Sequence, residues 1–244
     1  MTHPFNGTKP HATAAPGNVI ITGGASGLGA ATVEAVIRHG GRALVIDKKP
    51  PSGPNAFVDH AFADLADTDA VQAAVLSLVE RAEGPVTGLF TAAGIDSCGR
   101  LEDVPAKDWE QVILVNLLGT AAVVRSALPY LREASGRIVT VASTLGIKAV
   151  GDATAYCASK FGVVGFTRAL AAELAGDVGV TLLIPGGMHT PFFDGRTEQY
   201  KPPADAKLNR PEDVAETVVF ALTQPHGCEV RELVVCASTE SSWP

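Results

Sequence analysis

A glycine-rich turn between an apolar strand-like run and an amphipathic helix limits the fold of this chain more than any other feature. The run NVIIT (18–22) leads into TGGASGLG (22–29), and a helical pattern follows over 27–39. Glycines at such a junction allow a tight turn and let phosphates approach the helix N-terminus, where backbone amides and the helix dipole favour negative charge. A glycine-rich turn alone is weak evidence, but this context predicts a nucleotide site in an α/β sheet.

Strand-like and helical segments alternate along the rest of the chain. The further apolar runs are RALVID (42–47), TGLFTAA (87–93), GRIVTVAS (136–143), GVTLLIP (179–185) and RELVVCA (231–237), and helical patterns cover 67–83, 109–132, 153–175 and 211–223. Continuous Val, Ile and Leu runs are typical of parallel strands covered by helices on both faces. The alternation predicts one α/β domain over 18–244 with a doubly wound, seven-stranded parallel sheet, of which these runs locate six strands.

Composition limits the classes of partner. The chain has 244 residues, of which 46% are hydrophobic and 18% are charged, which is typical of one domain with a substantial core. The net charge is −7 without clustered Lys and Arg, so we expect neither nucleic acid nor an anionic membrane as partner. Charged residues or glycine interrupt each apolar stretch before the about 20 residues that a membrane span needs. A small-molecule partner is therefore expected.

The N-terminal residues and the cysteines bear on location. Residues 1–17 are rich in proline, glycine and small polar residues without hydrophobic periodicity, which predicts a flexible leader. The four cysteines are scattered without metal-ligand spacing, and no hydrophobic signal segment begins the chain. We therefore expect no metal site and a reducing, cytoplasmic compartment.

Tyr156 and Lys160 are the strongest candidates for chemistry. They stand four residues apart in a helical pattern, so their side chains lie on one helix face about 6 Å apart along the axis. A phenol has a pKa of about 10 in water, and a nearby cation favours its ionised form. The pair is thus a candidate general acid/base site. The alternative is an ordinary half-buried aromatic beside a solvated lysine.

Asp47 bears on cofactor choice. It ends the second strand-like run, 18 residues after Gly29, where a carboxylate can accept hydrogen bonds from ribose hydroxyls and would repel a 2′-phosphate. This favours NAD over NADP. Lys48 and Lys49 leave NADP open, because a lysine can neutralise that phosphate, and the alternative role for Asp47 is simply to start a turn.

Several ordered motifs resemble the short-chain dehydrogenase/reductase family over about 18–235. The matching segments are TGGASGLG (22–29), FADLAD (62–67), VNLLG (115–119), IVTVAS (138–143), YCASK (156–160) and PGGMHT (185–190). The resemblance implies a single-domain Rossmann fold and hydride transfer between a nicotinamide cofactor and a secondary alcohol or ketone. It also implies a homodimer or homotetramer that uses the helices near Trp109 and Ala153.

The resemblance implies roles for individual residues. Ser143 would hydrogen-bond the substrate oxygen, and Tyr156 would exchange its proton. Lys160 would hold the nicotinamide ribose and lower the tyrosine pKa. Asn116 would help hold a water on the proton path, or, as an alternative, would only satisfy neighbouring backbone. The expected cofactor-binding residues are Gly23, Ser26, Gly27, Leu28, Gly29, Asp47, Asp64, Leu65, Ala93, Gly94, Tyr156, Lys160, Pro185, Gly186, Met188 and Thr190.

Two departures and two alternatives accompany the resemblance. Thr91 stands where the family usually has the first Asn of Asn-Ala-Ala-Gly, which puts local stabilisation of the sheet in question more than the reaction. The ending STESSWP (238–244) lacks the family's glycine-rich pattern, and Trp243 covers a pocket, packs on a partner subunit or belongs to a flexible tail. The alternative functions are an NADP-dependent biosynthetic ketoreductase and a catalytically silent nucleotide-sensing regulator.

The segment over 190–211 is long and irregular enough to form a lid. Phe192 and Phe193 within it either face the substrate or anchor the loop to the sheet. Cys98 and Leu145 follow strand ends and are candidates for the pocket wall, although a free cysteine is more often a small buried apolar residue. His189 is a weak candidate for an extra acid because Tyr156 already fills that role.

Overall fold

Parallel strands form the centre of the molecule. The computed structural model describes residues 14–52, 57–240 and 242, and within them seven parallel strands form one sheet in the order β3-β2-β1-β4-β5-β6-β7. The strands are β1 (Asn18–Thr22), β2 (Arg42–Asp47), β3 (Val58–Phe62), β4 (Val86–Thr91), β5 (Arg137–Val141), β6 (Gly179–Pro185) and β7 (Glu232–Val235). The predicted doubly wound sheet is confirmed.

Helices cover both faces of the sheet. The α-helices of the described residues are α1 (Gly27–Arg38), α2 (Thr68–Arg81), α3 (Ala106–Ile113), α4 (Thr120–Glu133), α5 (Thr154–Glu173) and α6 (Pro211–Leu222). Helices α1 and α6 pack together on one face, where Val19 and Ile21 enter their core. Ile20 points to the opposite core, which α2, α4 and α5 cover. Both faces of β1 are therefore buried, which explains its uninterrupted apolar sequence.

The third strand, β3, is the one that the apolar pattern does not locate. Among the described residues it pairs only with β2, at the edge of the sheet, and its sequence is VDHAF. Asp59 and His60 interrupt the apolar run, and no side chain of the strand is fully buried. An edge strand needs less apolar surface than a central one, so the pattern that reveals the others fails here.

The predicted helix over 109–132 is in fact three consecutive helical pieces. Between α3 and α4 lies a π-helical turn, Leu114–Gly119, which contains Asn116. By length and composition the whole stretch Ala106–Glu133 would suffice for a membrane span, with a mean hydropathy of 1.7 in its best window, so the expectation that no stretch reaches this length is wrong here. Val123, Ala127 and Leu131 pack in the core beside the sheet. Core helices meet the same criterion, and the stretch is weak evidence for a membrane.

The carboxyl ends of the parallel strands meet at one edge of the sheet. Thr22 of β1, Thr91 of β4 and Thr140 of β5 are neighbours there in register. The strand order reverses between β1 and β4, which is the switch point where open α/β sheets bind ligands. The fold thus brings the ends of β1, β2, β4, β5 and β6 to a common site.

Both ends of the described chain contact the sheet or the segment that follows β6. Pro16, within the predicted leader, is buried, and its carbonyl accepts a hydrogen bond of 2.7 Å from Thr87 Oγ1. Residues 1–13 of that leader and Trp243 lie outside the described residues. Residues 236–240 and 242, which we call the returning tail, fold back from β7 toward the carboxyl edge of the sheet.

Candidate active site

A cavity of about 590 Å³ lies at the carboxyl edge of the sheet. All the residues predicted to bind a cofactor line it, and so do Ser143, Tyr156 and Lys160. Asn116 does not line it. The fold therefore gathers residues from segments far apart in the sequence around one cavity. Its dinucleotide end is formed by the glycine-rich turn, Asp47 and Asp64, and its reacting end by Ser143, Tyr156 and the segment after β6.

The glycine-rich turn is shaped for close approach. Gly23 and Gly27 adopt φ values of 71° and 53°, in the left-handed region that disfavours side chains. A Cβ added at Gly29 would lie 2.1 Å from the backbone oxygen of Gly23. Helix α1 begins directly after Ser26, whose side chain makes no capping hydrogen bond, and the first turn carries no acidic residue. Free amides at a helix N-terminus fit the pyrophosphate of a dinucleotide.

Asp47 lies at the end of β2, on the wall of the dinucleotide end. Its Oδ2 accepts a hydrogen bond of 3.0 Å from the amide of Ala25, within the glycine-rich turn. Its Oδ1 accepts one of 3.0 Å from the amide of Lys49, so Asp47 also forms the turn that the alternative interpretation proposed. The carboxylate is oriented by backbone on both sides.

Lys48 also lines the cavity, and it contacts a carboxylate. Its Nζ donates to Oδ2 of Asp64 at 3.2 Å. The amide of Ala66, which donates to the other oxygen of Asp64 at 3.0 Å, is the main cause that holds the pKa of Asp64 below its usual value, and Lys48 adds to it. One of the two lysines that left NADP open is thus engaged within the protein.

Tyr156 and Lys160 lie on the buried face of α5. Their exposed fractions are 9% and 5%. Lys160 Nζ lies 5.7 Å from the centre of the Tyr156 ring and donates to the carbonyl of Val141 at 2.9 Å. The ammonium group is held between the end of β5 and the phenol. The two side chains share the reacting end of the cavity.

Burial opposes the charged forms of both groups. It raises the pKa of Tyr156 far above the ordinary 10.0, and a hydrogen bond from Ser143 only partly lowers it. Burial also lowers the pKa of Lys160 from 10.5 to about 8, against the charge of Asp96. The expectation that the nearby cation lowers the tyrosine pKa considered the charge and not the loss of water. In the protein without cofactor the phenol keeps its proton.

Ser143 and Asn116 have different surroundings. Ser143 follows β5, and its Oγ accepts a hydrogen bond of 3.1 Å from the amide of Leu145. The amide group of Asn116 exchanges hydrogen bonds with the backbone of Ile95, at 2.8 Å and 2.9 Å, and donates to Ser159 Oγ at 3.0 Å. These contacts match the alternative in which Asn116 satisfies neighbouring backbone. Its role in holding a water stays a prediction.

Aromatic residues form the wall opposite Tyr156. The Phe192 ring lies 5.6 Å from the Tyr156 ring and 5.6 Å from the Phe193 ring, and both phenylalanines line the cavity. The guanidinium of Arg196 lies 4.7 Å from the Phe193 ring. Both phenylalanines therefore lie at the reacting end, and the two alternatives for them, facing the substrate or anchoring the loop to the sheet, stay predictions.

Three weaker candidates have distinct positions. Leu145 lines the cavity. Cys98 and His189 do not. Cys98 Sγ donates to Asp96 at 3.1 Å, and burial is the main cause that raises its pKa to about 12. His189 lies in the segment after β6, where its amide donates to the carbonyl of Asn209.

Comparison with known proteins gives the family. The model of the short chain dehydrogenase family matches residues 17–201, more than half of the chain. The chain belongs to the short-chain dehydrogenase/reductase family. This confirms the resemblance found in the sequence motifs and the class of enzyme, an oxidoreductase.

Named relatives of this short-chain dehydrogenase include enzymes of different activity. A short-chain dehydrogenase/reductase of Penicillium canescens is 31% identical and covers 83% of this chain and 88% of the relative. Levodione reductase of Leifsonia aquatica is 33% identical, with 75% and 74% covered. The solved structure of an alcohol dehydrogenase from Thermococcus sibiricus, complexed with 5-hydroxy-NADP, has a TM-score of 0.81 at 22% identity and covers 92% of this chain and 97% of that one. That likeness shows the fold alone.

Four residues of the short-chain dehydrogenase site were missed by sequence reasoning: Asp96, Arg196, Glu240 and Ser242. Asp96 and Arg196 form an ion pair of 2.6 Å at the reacting end. In the returning tail, Glu240 Oε2 accepts from the amide of Gly187 at 3.0 Å, and Ser242 Oγ lies 2.6 Å from Thr144 Oγ1. These contacts join residues 53 to 100 positions apart, so they cannot be predicted from local sequence spacing.

Thr91 is the departure from the family pattern with a visible consequence. Its side chain is 3% exposed, and its Oγ1 is buried without a hydrogen-bond partner among the described residues. The neighbouring Thr22 Oγ1 accepts from the amide of Ala93 at 3.2 Å, so it helps hold the loop after β4. Within the described ranges, no group of three His, Cys, Asp or Glu side chains is placed to hold a metal ion.

Proposed function

We propose that this short-chain dehydrogenase is an NAD-dependent oxidoreductase that interconverts a secondary alcohol and a ketone. The observation that carries the proposal is the carboxylate of Asp47, oriented by backbone amides on the cavity wall beside the glycine-rich turn. A carboxylate in this place accepts hydrogen bonds from ribose hydroxyls and repels a 2′-phosphate. The cation that follows it, Lys48, pairs with Asp64 at 3.2 Å.

The reacting end supports a proton exchange between Tyr156 and the substrate oxygen. Bound NAD would supply the hydride acceptor, at the nicotinamide ring. Ser143 and Tyr156 hold the substrate oxygen by hydrogen bonds, and Tyr156 exchanges its proton with it. In the reductive direction the protonated phenol is ready to donate, because burial keeps its pKa high. In the oxidative direction the phenol must first lose its proton, and the nearby Lys160 ammonium stabilises the phenolate.

An NADP-dependent ketoreductase is the second candidate, because Lys48 lines the dinucleotide end. The Thermococcus sibiricus structure, which is complexed with 5-hydroxy-NADP, provides a precedent within the same fold. Binding of a 2′-phosphate would require Lys48 to leave Asp64 and to outweigh the repulsion by Asp47. A catalytically silent regulator is disfavoured, because Ser143, Tyr156 and Lys160 are all retained around the cavity.

Calorimetric titration with NADH and NADPH at one fixed salt concentration tests the proposal. We expect NADH to bind at least about tenfold more tightly, the effect of roughly 1.4 kcal/mol from one carboxylate. Asp47→Asn should remove most of that difference. Lys48→Gln is the matched control and should leave the preference for NADH in place. Tighter binding of NADPH by the natural chain would favour the ketoreductase, and binding of neither would reject both.

Assembly and location also belong to the proposal. We propose a homodimer or homotetramer that uses the α3–α4 stretch and α5, and light scattering that finds only a 25 kDa species would reject it. We propose a reducing, cytoplasmic compartment, and all four cysteines are free of disulfides, which supports it. Fractionation of the native source with an antibody to the chain tests that location.

A further inference from the structure

An ion pair that is largely removed from water joins the loop after β4 to the wall of the reacting end. Asp96 lies in the loop after β4, and its side chain is 5% exposed. Arg196 lies in the segment after β6, and its side chain is 18% exposed. The two are 100 positions apart, and Arg196 Nη2 donates to Asp96 Oδ2 at 2.6 Å. Charges that are largely removed from water are found paired, because an unpaired charge away from water is costly.

Two of the three guanidinium nitrogens of Arg196 donate hydrogen bonds within the protein, and its buried Nε has no partner among the described residues. Its Nη1 donates to the carbonyl of Tyr200 at 3.1 Å. Its Cζ lies 5.2 Å from the centre of the Phe192 ring and 4.7 Å from the centre of the Phe193 ring. Its position is therefore set by the protein before any substrate arrives.

Asp96 is fixed as firmly as its partner. Its Oδ1 accepts from the amide of Ser97 at 2.7 Å, and its Oδ2 accepts from Cys98 Sγ at 3.1 Å as well as from Arg196. Asp96 does not line the cavity, whereas Arg196 does, together with Tyr156. A substrate would thus meet a cation whose charge is already balanced from behind.

This balance matters for the charge of the substrate. An arginine beside a reacting centre is normally a strong site for a carboxylate or phosphate, because it donates to two oxygens at once. Here an anionic group would have to compete with Asp96, and Glu240 places a further carboxylate on the same cavity. Much of the remaining wall at this end is apolar, namely Leu145, Pro191, Phe192, Phe193, Pro202 and Leu208.

We propose that the Asp96–Arg196 pair makes this site select neutral, largely apolar secondary alcohols and ketones over anionic ones, with Asp96 as the specificity-determining residue. The inference rests on the proposed function, since it concerns the substrate of the same site. It adds a charge and a polarity for that substrate, and a role for two residues other than Asn116, Ser143, Tyr156 and Lys160.

The test compares two ketones of matched shape, 4-acetylbenzamide and 4-acetylbenzoate. Each is titrated into the protein saturated with the oxidised dinucleotide that it binds, so the ketone is not reduced and binding alone is measured. We expect the natural chain to bind the amide at least about tenfold more tightly than the carboxylate. The reason is that the carboxylate of the second ketone would be one unbalanced charge at short range. The rate of reduction with the reduced dinucleotide should follow the same order.

Asp96→Asn removes the balancing charge while keeping the shape. It should shift the ratio of the two dissociation constants by about tenfold or more toward the carboxylate. The double variant Asp96→Asn with Arg196→Gln restores neutrality and should return the preference for the amide. Dinucleotide affinity and melting temperature, measured on each variant, show whether the fold is kept.

Several outcomes would overturn the inference. Equal binding of the two ketones to the natural chain, tighter binding of the carboxylate, or binding of neither ketone each rejects it without reference to any variant. A folded Asp96→Asn protein with an unchanged ratio rejects the role of Asp96. Failure of the proposed function has a different signature, since it requires that no dinucleotide binds, that NADPH binds more tightly than NADH, or that no ketone or alcohol is turned over.

Discussion

The two ends of the cavity are built in different ways. The dinucleotide end consists largely of backbone, in which the glycine-rich turn, the start of α1 and the end of β2 lie close together in the sequence. The reacting end consists of side chains brought from the loop after β4, the end of β5, helix α5, the segment after β6 and the returning tail. We propose that the first end binds the dinucleotide and that the second end determines the reaction and the class of substrate.

Because of this difference, substitutions at the two ends of the cavity should affect the protein in different ways. A substitution in the glycine-rich turn of the dinucleotide end acts through sterics, because backbone cannot move aside for an added atom. A substitution at the reacting end acts through protonation and charge, because its groups are buried and strongly coupled. Variants that separate these two kinds of damage therefore test whether the two ends are independent.

Tyr156→Phe should separate the two ends most clearly. Removal of the phenolic hydroxyl takes away the proton exchange, and we expect turnover to fall by about a thousandfold or more, within the range of general acid/base catalysis. The dissociation constant for NADH should change little. Tyr130→Phe, a tyrosine of α4 away from the cavity, is the matched control. Near-full activity of Tyr156→Phe would remove this residue from the mechanism.

Gly29→Ala should damage the dinucleotide end alone. The added Cβ would lie 2.1 Å from the Gly23 oxygen, and neither atom can rotate away, so the turn must distort. We expect NADH affinity to fall by up to about a hundredfold, which corresponds to an overpacking cost near 3 kcal/mol. Gly165→Ala on α5, where a Cβ would meet nothing within 4 Å, is the control and should stabilise slightly. Unchanged NADH affinity in Gly29→Ala would contradict the close approach.

The buried lysine of the reacting end should make stability depend on pH in the cofactor-free protein. The folded pKa of Lys160, about 8, lies below the ordinary 10.5. Between these values the unfolded chain binds more protons, so the free energy of unfolding should rise with pH. From pH 7 to 9.5 the rise from this group is about 2 kcal/mol.

Urea unfolding at the two pH values measures that rise. Lys160→Met should lack it, and the exposed Lys107→Met should keep it, so the difference between variants isolates Lys160 from other titrating groups. Above about pH 10 the raised pKa of Tyr156 acts in the opposite direction, since the folded state then keeps the extra proton. The same slope in all three proteins would show that burial does not shift the Lys160 pKa.

The smallest effect is expected between the two ends, at Thr91. Its buried Oγ1 has no partner among the described residues, so Thr91→Val removes an unsatisfied hydroxyl without changing the shape. We expect the free energy of unfolding to rise by about 1 kcal/mol. Thr140→Val, one strand away, loses a hydrogen bond of 2.6 Å to Thr167 and should destabilise by about 1 kcal/mol. If both variants lose stability equally, Thr91 has a partner after all.

Sequence reasoning reached the dinucleotide end well and the reacting end only in part. Gly23, Gly27 and Gly29 are recognisable because the turn is local, and the four-residue step from Tyr156 to Lys160 is visible for the same reason. The strand β3 was not located because Asp59 and His60 break its apolar run at the sheet edge. Asp96 and Arg196 come into contact through the tertiary fold, so no rule of sequence spacing predicts their contact.

The direction in which the pKa of Tyr156 shifts shows a second limit of prediction from sequence. A nearby Lys160 can be inferred from helix geometry, but the loss of water around Tyr156 depends on what covers it. That cover includes Phe192, whose ring lies 5.6 Å away and whose segment has no regular period. Sequence spacing therefore predicts which groups meet more readily than it predicts their protonation.

The returning tail is the last part of the site to be synthesised. Ser242 meets Thr144 across 98 positions, and Glu240 meets Gly187 across 53. During synthesis the chain emerges N-terminal end first, so the glycine-rich turn and helix α5, which carries Tyr156, are made long before these contacts can form. On the ribosome, the segments of the dinucleotide end are therefore available to fold before the returning tail can complete the reacting end.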